Sequence, residues 1–177
     1  MSNHQNIRDC SIDKDVGNIQ RILNDAIENS TALYDYKPRS YETVRLWVEQ
    51  KQAQGLPLRG AYDQAGNLVA FATFGSFRPH PAYKYSVEHS VYVDLQHRRK
   101  GLARALMADL IEQAVARDLH VMIGCIDAQN EGSIALHEEF GFQFCGTIKQ
   151  VGFKFGRWLD ASFYQKLLQT PEHPVDG

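Results

Sequence analysis

Residues 90–114, SVYVDLQHRRKGLARALMADLIEQA, constrain the fold more than any other part of the chain. The stretch opens with the alternation of a strand and passes through a polar, basic turn. It continues with Leu102, Leu106, Leu110 and Ala114 at helical spacing. The turn itself is Arg98-Arg99-Lys100-Gly101-Leu102-Ala103. Gly101 and the small Ala103 let a ligand approach the backbone closely, and a helix starting there leaves its first N–H groups without intrahelical partners. Those N–H groups, the helix dipole and three cationic side chains together suit a pyrophosphate.

The rest of the chain reads as strands and helices around this element. Residues 7–10 predict a short strand. Asp13 reads as the N-cap of a helix carrying Val16, Ile19, Ile22, Leu23, Ala26 and Ile27 on one face and ending near Asn29. A second helix follows Ser40, with Val44, Trp47 and Val48 inward, and stops before Gly55 and Pro57. Residues 58–62 and 67–77 predict an antiparallel hairpin around Asp63-Gln64-Ala65-Gly66. Residues 87–95 form the strand leading into the basic turn, and 121–126 a further apolar strand. Residues 130–140 form a short helix with Gly141 as its C-cap. Closing strands are expected at 142–148 and 158–168, with the aromatic, glycine-rich VGFKFGRW between them. The expected architecture is one mixed α/β domain over residues 1–170, with a mobile tail over 171–177.

The net charge of −2 gives no electrostatic reason to expect nucleic acid or an anionic membrane as a partner. No apolar run approaches membrane-span length, and the first residues lack an apolar signal core, so a cytoplasmic protein is expected. Cys10, Cys125 and Cys145 are scattered, read as reduced core thiols, and with the histidines show no metal-site spacing.

VYVDLQHRRKGLA resembles the acyl-CoA motif of the GCN5-related N-acetyltransferases, with Arg98, Gly101 and Ala103 at its defining positions. NEGSIALHEEFGF, residues 130–142, resembles the second motif of that family. EHSVYV at residues 88–93, His137 and KFGRWLD at residues 154–160 are similar to the branch acting on phosphinothricin and methionine sulfoximine. The resemblance implies a twisted, mostly antiparallel sheet whose central parallel strands splay apart, flanked by helices. It implies acetyl-CoA as co-substrate, no metal, a small-molecule amine as acceptor, and a homodimer with Lys154 and Arg157 reaching across its interface.

It also assigns residues. Backbone groups of Val91, Tyr92 and Val93 would bind the pantetheine arm, in the manner of an added strand. Arg99, Lys100, Gly101, Leu102, Ala103 and Arg104 would hold the pyrophosphate, and Asn130 and Ser133 the arm further along. Arg78, Pro79, His80, Glu88, His89 and Ser90 would bind substrate. Glu88 would be the base that frees the amine lone pair, and His137 the acid for the departing thiolate. Arg99 and Ala103 depart from the glycines usual in close relatives, and Glu139 stands where a basic residue is common. The activity so implied is acetyl transfer to the α-amine of phosphinothricin, methionine sulfoximine, methionine sulfone or a similar amino acid. The alternatives are another amine (a polyamine, an aminoglycoside, a protein N-terminus) or a non-catalytic acyl-CoA sensor.

Overall fold

The computed structural model describes residues 6–176. Four α-helices and seven β-strands follow one another as β1 Asn6–Asp9, α1 Ile12–Asn29, α2 Tyr41–Ala53, β2 Leu58–Tyr62, β3 Leu68–Ser76, β4 Ser86–Val93, α3 Leu102–Val115, β5 Val121–Asp127, α4 Glu131–Glu139, β6 Gln143–Lys154 and β7 Arg157–Leu167. Hydrogen bonding orders the strands β1-β2-β3-β4-β5-β7-β6. The β1–β2, β2–β3, β5–β7 and β6–β7 pairs are antiparallel, and β4–β5 is parallel. The chain packs as two compact units. Among the described residues, one comprises 6–74 together with Ser90–Leu110, the other Gly75–His89 together with 111–176.

In the first unit, α1 and α2 pack on β2 and β3 through Val16, Ile19, Leu23, Val44, Val48 and Phe71. The helical faces expected from the spacing are the buried ones, and Leu102, Leu106 and Leu110 of α3 are buried too. Trp47 is half-buried, edge-on to Phe71. The N-cap of α1 is Ser11, not Asp13. The Ser11 N–H donates to Asp15 Oδ2 at 2.7 Å, and the buried Asp15 also accepts from the Tyr62 hydroxyl at 2.7 Å. A carboxylate one turn into the helix thus moves the boundary back by two residues and ties α1 to β2.

In the second unit, β6 runs through the region read as a link. Its register shifts between Ile148 and Gly152, with Gln150 at φ 55°. It then turns at Phe155 (φ 52°) and Gly156 (φ 73°) with Lys154 opposite Arg157. Two successive positive φ values define a type I′ hairpin, so VGFKFGRW is the hairpin tip and not a connection between strands. Gly152 sits at a bulge, where a strand tolerates it. Of the three free cysteines only Cys10 is buried; Cys125 and Cys145 are exposed, which corrects the expectation of core thiols. Near the C-terminus the Val175 N–H donates to the Tyr85 hydroxyl at 3.2 Å. Among the described residues, no helix is long and apolar enough to cross a membrane.

Candidate active site

Strand β4 sets two side chains in opposite environments. The parallel ladder with β5 runs Ser86↔Val121, Val87↔Met122, Glu88↔Ile123 and goes no further. Successive strand residues point to opposite faces, so Glu88 and His89 look opposite ways.

On the Glu88 face, burial raises the carboxyl pKa while Arg78 works against that rise. Cys125 lies two residues beyond Ile123 on the same face of β5. Although the side chain reaches the surface, the protein around it displaces enough water to push its thiol up to about 11, with the Glu88 charge adding to the rise and Arg78 opposing it. Arg78, Glu88 and Cys125 therefore form one electrostatic group: a carboxylate with raised proton affinity, a cation that keeps it from rising further, and a thiol held protonated. The Arg78 guanidinium is exposed, 4.3 Å above the Phe77 ring, with Nη1 donating to the Phe77 carbonyl at 3.0 Å. Pro79 and His80 are exposed beside it in sequence.

On the other face His89 is buried, and its Nε2 is 3.0 Å from His137 Nε2. The Nδ1 of His137 is 2.7 Å from the Ser133 carbonyl, which can only accept, so this nitrogen carries the proton. In neutral His137, Nε2 is then an acceptor, and His89 donates to it from its own Nε2. That leaves His89 Nδ1 as a bare lone pair. The Ile123 backbone lies near enough to favour a charged imidazole slightly, yet completes no hydrogen bond of normal geometry with Nδ1. Burial lowers both imidazole pKa values, and for His89 the neighbouring His137 lowers it further. Gly124 makes the close approach possible, because a Cβ there would stand 2.6 Å from His137 Nε2. Phe142 packs against both rings.

Arg78 thus acts on Glu88 through its charge, while the His89 side chain is turned inward. Any substrate contact by His89 falls to its backbone. The pairing of His89 with His137 was not legible from sequence; the only sign was a Gly at 124 between bulky apolar strand residues. Both nitrogens of neutral His137 are engaged, so an acid role would require a further proton on a pair whose burial resists it. Lys154, expected at an interface, is 4% exposed within its own chain. Arg157 Nη2 lies 3.7 Å from Asp127 Oδ2. The Asn130 side chain caps α4 by accepting the Ser133 N–H at 3.1 Å.

In the first unit, Val91, Tyr92 and Val93 are half-buried, the Tyr92 ring 5.2 Å from that of Phe71. Beyond them the basic turn adopts φ 59° at Arg99 and φ 76° at Gly101, and α3 begins at Leu102. Arg98, Arg99, Lys100 and Arg104 are exposed around it. Two left-handed residues leading into a fourteen-residue helix, ringed by cations, match what a diphosphate requires. Among the described residues, no group of three or more His, Cys, Asp or Glu is placed to hold a metal ion.

A sheet with one short parallel pair, followed by a basic turn into a helix, is the architecture of an acyl-CoA-dependent transferase. Residues 11–163 match the model of the acetyltransferase (GNAT) domain family, and the chain belongs to that family. It is 42% identical over 159 residues to an L-methionine sulfoximine/L-methionine sulfone acetyltransferase of Pseudomonas aeruginosa PAO1, covering 90% of this chain and 92% of the relative. A solved structure from Acinetobacter baylyi ADP1 superposes with a TM-score of 0.95 at 54% identity, covering 97% of each chain. A phosphinothricin acetyltransferase of Sinorhizobium meliloti, solved in complex with acetyl-CoA, superposes at 0.92 with 32% identity, covering 96% of this chain and 92% of its own.

Proposed function

We propose that the chain is an acetyl-CoA-dependent N-acetyltransferase acting on the α-amine of a small amino acid or analogue, of the methionine sulfoximine, methionine sulfone and phosphinothricin class. The observation that carries this reading is the half-buried Glu88 on β4, its carboxyl pKa raised by burial and opposed by the charge of the exposed Arg78. A zwitterionic substrate needs one group to take a proton from its ammonium and another to hold its acid. The names of the relatives point to the same substrate class.

Bound acetyl-CoA supplies an acetyl group activated as a thioester. The residues of this chain do the rest. The Arg99–Arg104 turn holds the diphosphate, and backbone groups of Val91, Tyr92 and Val93 bind the pantetheine amides. Asn130 and Ser133 contact the arm further along. An N–H of Val91 or Tyr92 is the donor offered to the acetyl carbonyl oxygen. Arg78 binds the substrate carboxylate or phosphinate, flanked by Pro79 and His80. Glu88 takes a proton from the ammonium, directly or through a water. Its raised pKa makes it a stronger base, and the Arg78 charge limits that rise. Ser90 lines the same stretch of β4. His89 and His137 support β4 and α4 from the opposite face and are assigned no proton transfer.

We further read residues 1–170 as one acetyltransferase domain and the active form as a homodimer. Phe144, Ile148, Phe153, Phe155 and Trp158 are all roughly half exposed or more on the β6–β7 hairpin. An apolar edge of this kind needs cover. Three free thiols suit a reducing, cytoplasmic setting.

The test is release of free CoA thiol from acetyl-CoA, with methionine sulfoximine, methionine sulfone, phosphinothricin, ordinary amino acids, a polyamine and an N-terminal peptide offered separately. Turnover on the first three, falling about a hundredfold or more in Glu88→Gln, is expected. Turnover on the polyamine or the peptide alone overturns the substrate class. Acetyl-CoA binding with no acceptor acetylated favours a sensor.

A further inference from the structure

Asp94 closes β4 and opens the basic turn, and it is only 5% exposed. Its Oδ1 accepts the Gln96 N–H at 2.9 Å and lies 3.0 Å from His97 Nδ1. Its own N–H donates to the Val69 carbonyl at 2.9 Å. Its Oδ2 is held by the Arg21 guanidinium of α1. One helical turn further along α1, Asp25 Oδ2 lies 3.9 Å from Arg98 Nη2. The helix thus presents a cation and an anion four residues apart to an anion and a cation four residues apart. Of the four side chains, Asp94 and Arg98 fall within the recognised motif, and Arg21 and Asp25 lie outside it.

We propose that Arg21 is a positioning residue for acyl-CoA, acting through Asp94. The proposal rests on the reading of the Arg98–Arg104 turn as the diphosphate site. A buried carboxylate seven residues before Gly101 is an awkward feature in a segment that must receive an anion. Burial acts to raise its pKa, yet His97, Arg21 and the Gln96 N–H bring it down to about 2, so it is ionised at every working pH. Arg21 is the full positive charge that balances it. The Arg21 side chain is 54% exposed, so the pair contributes little stability as a surface salt bridge. Removing Arg21 has a different consequence, because it leaves the buried carboxylate without its full counter-charge, held only through Oδ1 by the Gln96 N–H and His97. That charge then opposes the ligand, and the turn loses an anchor that fixes where Arg99 and Gly101 adopt their left-handed backbone.

The experiment measures the acetyl-CoA Kd by calorimetry, and KM and kcat, at low and high salt. The proteins are wild type, Arg21→Gln, Arg21→Lys and the doubly neutral Arg21→Gln/Asp94→Asn. For Arg21→Gln, Kd and KM for acetyl-CoA should rise about tenfold with kcat at saturation held within about twofold. The rise should shrink at high salt, where the repulsion is screened. Arg21→Lys should recover most of the affinity, and the doubly neutral variant should bind better than Arg21→Gln alone. An unchanged Kd in Arg21→Gln, a loss confined to kcat, or no recovery in the double variant overturns the proposal while leaving the site reading intact. If wild type itself binds no acetyl-CoA, the site reading falls and the proposal falls with it.

Discussion

Gly124→Ala drives a Cβ directly into the His89–His137 contact. The added Cβ would stand 2.6 Å from His137 Nε2, 2.9 Å from His137 Cδ2 and 3.1 Å from His89 Cε1. Relief requires the His137 ring to move by about 0.8 Å to reach ordinary contact distance. That ring is held at both ends, by the Ser133 carbonyl at 2.7 Å and by His89 Nε2 at 3.0 Å. A shift of this size breaks one of these buried hydrogen bonds, at about 1–3 kcal/mol, on top of about 1–3 kcal/mol for overpacking. The lower entropy of the unfolded chain returns only about 0.4–1 kcal/mol. The net expectation is a loss of about 1–5 kcal/mol in urea unfolding at neutral pH. Gly132→Ala is the internal control. Its Cβ meets only Asn130 Oδ1, at 3.9 Å, inside α4, so the same substitution there should be neutral or stabilising by up to about 1 kcal/mol. If Gly124→Ala unfolds within about 0.5 kcal/mol of wild type, the histidine pair is not the rigid clasp described.

Asp15→Ala should cost about 2–4 kcal/mol, since it removes the acceptor of both the Ser11 N–H and the Tyr62 hydroxyl; a loss under about 0.5 kcal/mol in chemical denaturation would contradict that role. For Glu88, folding raises the pKa, so its stabilising contribution is complete below the unfolded carboxyl pKa and is lost as pH rises through the folded one. Glu88→Gln should therefore be more stable than wild type at neutral pH and equal to it in acid, while catalysis falls; melting curves across pH that show the reverse order would refute this. Replacing Phe144 and Trp158 by Lys should convert a dimer to a monomer in light scattering, and a wild type that already runs as a monomer removes the case for that face.

What the sequence made legible follows from which forces act locally. Apolar spacing gave the buried faces of α1 and α3, because helical period and burial are set by near neighbours. The left-handed Gly141 (φ 78°) that ends α4 was legible for the same reason, whereas Asn130, read as part of the helix, is its N-cap. The start of α1 was misplaced because Asp15 is recruited both by Ser11 four residues back and by Tyr62 on a distant strand. The extent of β6 was hidden because its residues are mostly exposed, so no alternation marks it. Glu88 and Arg78 were singled out through motif likeness. The His89–His137 contact and the Arg21–Asp94 pair depend on residues far apart in the chain, which periodicity does not reach.

The dipeptide Glu88-His89 shows how a strand can separate two demands of the proposed chemistry. A base needs partial burial to gain proton affinity, together with access to a wet, zwitterionic substrate; Glu88 has the first from its surroundings, and exposed Arg78 marks the second. The strand carrying that base must also be immobile, since a small displacement of a general base costs rate steeply. His89, one residue on and facing the other way, supplies that immobility by hydrogen-bonding to α4 through His137. A neutral imidazole pair suits the task better than an ion pair. It adds no net charge behind Glu88, and so leaves the raised carboxyl pKa to burial and Arg78 alone. Placing a charge there should therefore move the pH–rate profile without touching the base: in His89→Lys the ascending limb should shift to lower pH. A profile unmoved in a folded His89→Lys protein would show that the two faces of β4 are electrostatically independent.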